Sequence, residues 1–162
     1  PVSCEWTGAE NEVWLRFGEH PQAVDWQLKN LPAAHWTILE GDGERAAWEN
    51  LRRRYARLGP VLLRVIGLPT TVHEMIEEYR PTNWIAHALN GIVLMEVAGV
   101  SEIRHIREKY RAVIERAPLA VRRQIATFGL TDAEYDLMKK MKNAFDPEGR
   151  LNAGRHVDGE RS

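Results

Sequence analysis

N-W-I-A-H-A-L-N-G-I-V-L-M-E-V, residues 83–97, is the stretch whose reading decides the fold. Two apolar segments flank Asn90-Gly91, a pair that tolerates the positive φ angles of a tight hairpin turn. The spacing predicts an antiparallel strand pair. Just upstream, V-L-L-R-V-I-G-L (residues 61–68) is apolar on both faces, the pattern of a strand inside a sheet rather than at its edge. Arg64 interrupts it on the face shared with Leu62 and Ile66, where an unpaired guanidinium is costly. It therefore either pairs with a carboxylate of the protein or binds a substrate carboxylate through its bidentate fork. His87 shares a face with Ile85 and Leu89, as a half-buried structural histidine or as a base suited to neutral pH. No second histidine or carboxylate stands near it at a metal-ligand interval, so no metal site is predicted.

Outward from this centre the chain alternates strand and helix signals. Thr71 with Glu74 reads as a capping box for a helix carrying Val72, Met75, Ile76 and Tyr79. Ser101 is a candidate cap for a helix whose stripe, Ile103, Ile106, Tyr110, Val113 and Ile114, runs on until Pro118. Residues 121–130 fit a short strand or a loop with one helical turn, and Thr131 with Glu134 caps a last helix. On the N-terminal side, residues 12–18 alternate as a half-buried strand, and Pro21 opens a helix with Val24, Leu28 and Leu31 on one stripe. Residues 35–40 read as a second short strand, ended by Gly41-Asp42-Gly43. A helix over 44–58 follows, with Trp48, Leu51, Tyr55 and Leu58 on one side and Arg52, Arg53, Arg54 and Arg57 on the other. The expected class is α+β: a largely antiparallel sheet with helices on one face, built from ferredoxin-like duplicated βαβ elements.

Composition narrows the function classes. At 162 residues the chain holds one core of ordinary size, and 22 basic against 23 acidic side chains leave a net charge of −1. That balance makes no case for nucleic acid or an anionic membrane, and the arginine cluster lacks the interleaved aromatics of a single-strand platform. Cys4 is alone, which excludes an internal disulfide and fits a reducing, cytoplasmic location. No apolar run approaches the roughly 20 residues of a membrane helix. The chain opens on Pro1, as an excised domain or a chain that has lost its Met would.

The C-terminal string L-M-K-K-M-K-N-A-F-D-P-E-G-R-L-N-A-G-R-H-V spans residues 137–157. Leu137, Met141 and Ala144 or Phe145 recur at helical spacing, while Lys139, Lys140 and Lys142 suit the negative end of the helix dipole. Asp146-Pro147-Glu148-Gly149 has the preferences of a type I turn, and Asn152 and Gly154 tolerate unusual backbone angles. As a whole the string resembles the C-terminal signature of the FAD-linked oxidases, usually L-M-x-x-l-K-x-x-f-D-P-x-g-i-l-N-P-G-R, with Ala153 in place of Pro. L-L-R-V-I-G-L-P and I-A-H-A-L-N-G are similar to two further segments of that family, the second with Leu89 in place of a Gly. The flavour is that of the glycolate oxidase FAD-binding subunit and the D-lactate dehydrogenases, without the metal-binding histidine string of the latter.

The resemblance implies a C-terminal cap (substrate) domain over residues 1–150 and a tail over 151–162 that contacts an FAD-binding domain absent from this chain. It implies FAD in the complete protein, a small 2-hydroxy acid as substrate, and other glycolate oxidase subunits as partners. Within it Arg64 holds the substrate carboxylate, His87 is the catalytic base or hydrogen-bond donor, and Asn152, Gly154 and Arg155 bind the cofactor edge. Two rival readings stay open: a non-catalytic partner subunit, and a stand-alone ligand-binding α+β module.

Overall fold

The structure, a computed structural model, describes residues 1–8, 11–32 and 35–152. Its order is β1 (Ser3–Thr7), β2 (Glu12–Arg16), α1 (Pro21–Lys29), α2 (Gly41–Arg57), β3 (Leu62–Ile66), α3 (Val72–Tyr79), β4 (Trp84–His87), β5 (Ile92–Glu96), α4 (Val100–Arg107), β6 (Arg111–Arg116), α5 (Leu119–Arg122) and α6 (Asp132–Phe145). The six strands form one sheet, ordered β2-β1-β4-β5-β3-β6, with every neighbour antiparallel. Within it β3-α3-β4 and β5-α4-β6 are two βαβ halves, and their strands lie in the order β4-β5-β3-β6 of a ferredoxin-like unit. The hairpin β1–β2 extends that unit along the β4 edge. The chain is α+β, as its pattern predicts.

Alternation along the strands sorts side chains between two faces. Leu63 and Val65 of β3, Trp84 and Ala86 of β4, Val93 and Met95 of β5, and Ala112 and Ile114 of β6 point one way. Val72, Met75 and Ile76 of α3 with Ile103 and Ile106 of α4 close over them as the main core. Trp6 of β1 joins its edge, set perpendicular to Trp84 at 4.9 Å between ring centroids. On the opposite face Leu62, Ile85 and Leu94 form a smaller cluster with Leu58 and Tyr55, the end of α2.

Several local expectations are corrected. The helix that opens near Ser101 ends at Arg107, and Arg111–Arg116 is the strand β6, because Ala112 and Ile114 alternate inward along the sheet. The Arg107 guanidinium fixes the change of direction by donating to the carbonyls of Ala112, Ala126 and Thr127 at 3.0, 2.8 and 2.9 Å. Ser101 lies inside α4 rather than capping it; Glu102 instead accepts the Ala98 N–H at 2.7 Å. Thr71 bonds the backbone of Leu68 in a short 3-10 turn (Pro69–Thr71), so no Thr71–Glu74 box forms. Residues 35–40 form no strand, whereas Ser3–Thr7, unread in the sequence, does.

The central hairpin forms, with a longer connection than two residues. A 3-10 turn (Ala88–Asn90) and Gly91 join β4 to β5, and His87 pairs with Ile92. Only Gly91 of the Asn-Gly pair has positive φ, 67°. A Cβ on it would stand 2.3 Å from the Gly67 carbonyl oxygen, so the loop needs glycine for close approach as well as for handedness.

Candidate functional site

His87 ends β4 on the less covered face of the sheet, directly opposite Glu5 of β1 and Ile92 of β5. Its Nδ1 lies 2.5 Å from Glu5 Oε2, and its Nε2 lies 2.5 Å from the Tyr55 hydroxyl at the end of α2. The Tyr55 and His87 rings are tilted by 33° at 5.6 Å between centroids. Glu5 is 8 % exposed; Ser3 Oγ donates to its Oε1 at 2.8 Å. Glu5 Oε2 is buried and makes no well-directed hydrogen bond, so its contact with His87 is one of charge proximity. A carboxylate there favours the neutral tautomer protonated on Nδ1, which leaves Nε2 to accept the Tyr55 O–H. A pocket of about 40 Å³, the size for a water, opens beside Glu5 and His87 between Ser3, Leu89 and Asn90.

Burial first, then the Glu5 charge, pushes the Tyr55 hydroxyl up to about 12, with Arg64 opposing and Glu115 reinforcing. The phenol is therefore protonated throughout the neutral range. Burial and the Glu5 charge also raise the Cys4 thiol. Arg64 is exposed and pairs with Glu115, so its guanidinium has a carboxylate partner within the protein. A bulge in β6 opposite Leu62 and Leu63 leaves Glu115 as the extra residue beside it. Arg64 and His87 lie on the same face. Arg64 is opposite Leu94, and Leu94 is opposite Ile85, two residues before His87. Two strand spacings of about 4.8 Å and the two-residue offset put the Arg64 and His87 backbones about 12 Å apart, on either side of Leu94 and Ile85.

The second locus is the end of α6. Thr131 and Glu134 cap this helix reciprocally, as read from the sequence, and Arg111 ties Glu134 to β6 at 2.5 Å. At the other end Asp146 does more than start a turn. Its carboxylate takes the Lys142 ammonium and accepts the N–H groups of Arg150 and Leu151 at 2.9 and 2.8 Å. Lys142 also donates to the Leu151 carbonyl at 2.5 Å, and the Gly149 N–H bonds the Asp146 carbonyl at 3.0 Å. The Lys142 bond first, then the two backbone donors, holds the Asp146 carboxyl below its ordinary range. Asn152 follows, exposed, at φ 50°. Gly154 and Arg155 lie outside the described residues. Along α6 no residue is buried, and Leu137, Met141 and Phe145 face outward, Phe145 at 83 % exposure.

The site read from the sequence thus keeps His87 and Arg64 on one face and gains Glu5, Tyr55 and Glu115. Tyr55 looked like one more member of an apolar helix stripe. Glu5 was hidden in a strand that was not read, although Ser3-Cys4-Glu5-Trp6-Thr7 alternates and its partner β2 follows within a few residues. An open depression of about 450 Å³ beside Arg16, Glu44, Trp48 and Arg52 shares no residue with the His87 pocket. No helix among the described residues is long and apolar enough to cross a membrane.

No curated protein and no solved structure matches the chain. Residues 120–156, well under half of the chain but including α6 and the Lys142–Asp146 turn, match the family of FAD linked oxidases, C-terminal domain.

Proposed function

We propose that this chain is the C-terminal cap of a flavin-dependent oxidoreductase that oxidises a small 2-hydroxy acid such as glycolate or D-lactate. The observation that carries it is the family match over residues 120–156, in which Lys142 and Asp146 lock the turn that directs the chain out of α6. The described residues fit one edge of a flavin site rather than a whole one. Asn152, exposed and left-handed where the turn ends, is the described residue that would meet the cofactor, with Gly154 and Arg155 beyond it. FAD, held by a domain outside this chain, supplies hydride acceptance when bound.

The chain's own residues supply orientation and proton handling. Arg64 offers two parallel donors to the substrate carboxylate, for which it would have to exchange Glu115, an exposed partner that costs little to release. His87, held between Glu5 and Tyr55, provides the proton acceptor on the same face. The outward stripe of Leu137, Met141 and Phe145 supports a partner surface on α6, which the FAD-binding domain would cover. The same stripe supports a second reading, an assembly subunit contacting other glycolate oxidase subunits without turnover of its own. The two part at Arg64→Ala, which abolishes turnover in the first and leaves it intact in the second.

The primary test is the visible absorption spectrum of the protein expressed from its natural start codon. Flavin bands on a longer polypeptide, bleached by a 2-hydroxy acid, are expected. A colourless protein beginning near residue 1 overturns the reading.

A further inference from the structure

His87 presents neither ring nitrogen openly to a substrate: Nδ1 faces the Glu5 carboxylate, and Nε2 is hydrogen-bonded to Tyr55. The Tyr55 oxygen is different. In donating its proton to Nε2 it keeps its lone pairs, so it can accept a further hydrogen bond. The Tyr55 ring lies on the cluster that holds Leu94, the residue opposite Arg64, and its hydroxyl reaches His87, so the phenol spans the ground between the two. Its ring packs on Leu58, Leu62, Ile85 and Leu94, which fixes where the hydroxyl points.

Resting on the functional reading above, we propose that Tyr55 is the catalytic residue that contacts the substrate hydroxyl, with His87 behind it as proton acceptor and Glu5 as positioning residue. The substrate O–H breaks as its proton passes to Tyr55 Oη. The Tyr55 O–H breaks as its own proton passes to His87 Nε2, leaving an imidazolium beside the Glu5 carboxylate. A bound oxidised flavin would supply acceptance of the α-carbon hydride, which balances the proton loss and leaves a 2-oxo acid. Glu5 keeps the neutral imidazole in the tautomer that presents Nε2 as acceptor and stabilises the cation that forms. Charged and titratable groups facing this relay are Glu5 of β1, Tyr55 of α2, Arg64 of β3 and Glu115 of β6, while Cys4, next to Glu5 along β1, alternates to the other face.

Nitrogen-15 NMR of the His87 ring tests the hydrogen-bond order without flavin. The neutral ring should carry its proton on Nδ1, and Tyr55→Phe should return the Nε2 resonance to that of a free acceptor nitrogen. A proton on Nε2, or a resonance that ignores Tyr55→Phe, overturns the relay. In the flavin-loaded protein, single-turnover reduction by a 2-hydroxy acid should slow about 100-fold in Tyr55→Phe. Glu5→Gln removes the carboxylate that faces Nδ1, so the same nitrogen-15 spectrum should show a mixed tautomer in place of an Nδ1-protonated ring. A Tyr55→Phe rate within about threefold of wild type rejects the relay while sparing the functional reading. Wild-type protein that no 2-hydroxy acid reduces rejects the functional reading itself, a result distinct from a fast Tyr55→Phe.

Discussion

The two faces of this sheet are built from the same strands and have opposite characters. On one, Leu63, Val65, Val93, Met95, Ala86 and Ile114 are sealed by α3 and α4 into a continuous apolar cluster. On the other, one residue along each strand, stand Arg64, His87, Glu5 and Glu115, with a small apolar patch under the end of α2. The difference teaches where stability and chemistry are kept. The helix-covered face excludes water and supplies most of the favourable burial, at about 1.5–3 kcal/mol per large side chain. The other keeps polar groups close together and partly wet, so they can change partner or protonation without unfolding the domain.

The comparison is broken most sharply at adjacent residues of β3. Leu63 is fully buried among α3, α4 and the neighbouring strands, so Leu63→Ala leaves a cavity as well as losing transfer energy. A loss of about 2–5 kcal/mol in urea-melt stability is expected. A cost below about 1 kcal/mol would mean that the helical layer is not packed on this face.

A smaller, local effect is expected at the end of α6. The Asp146 carboxyl is held below its ordinary range by Lys142 and by the Leu151 and Arg150 amides. A depressed carboxylate pKa means stabilisation that is fully present above the unfolded value and disappears as pH falls through the folded one. The turn should therefore stay closed at neutral pH and open in acid. Hydrogen exchange at the Arg150 and Leu151 amides reads this directly, and Asp146→Asn should speed exchange there at neutral pH while β3 and β5 stay protected. Unchanged exchange in Asp146→Asn would leave the lock without support.

What was legible follows from how local each cause is. The 83–97 hairpin, the interior strand 61–68 and the Thr131–Glu134 cap each arise from residues within a few positions of one another, and each forms. The strand β6 was misread because Ile106, Tyr110, Val113 and Ile114 satisfy a helical period. Only pairing with β3, far away in sequence, decides that 111–116 is extended. The site was half legible for the same reason. His87 and Arg64 stood out as polar residues in apolar strands, but Glu5 and Tyr55 reach His87 only after β1 pairs with β4 and α2 folds onto the sheet. In the tail, the D-P-x-G turn was visible, whereas the Lys142–Asp146 lock needed the helix to bring those two side chains together.

Arg64 gives the smallest effect on stability and the strongest separation of the two faces. It follows Leu63 directly, yet its side chain is 44 % exposed and its partner Glu115 is itself partly exposed. An ion pair in that setting contributes about 0–1 kcal/mol, because water screens it and two long side chains lose freedom to make it. Arg64→Ala should therefore leave the urea midpoint almost unmoved. If Arg64 grips the substrate carboxylate, the same change should sharply reduce turnover of 2-hydroxy acids by the flavin-loaded protein. Glu115→Ala, which frees the guanidinium, should not. A large stability loss in Arg64→Ala would make the arginine a structural tie across the β3–β6 pair, and its place on the chemical face would then need another explanation. Silent stability with lost turnover would show that one step along a single strand divides folding from function.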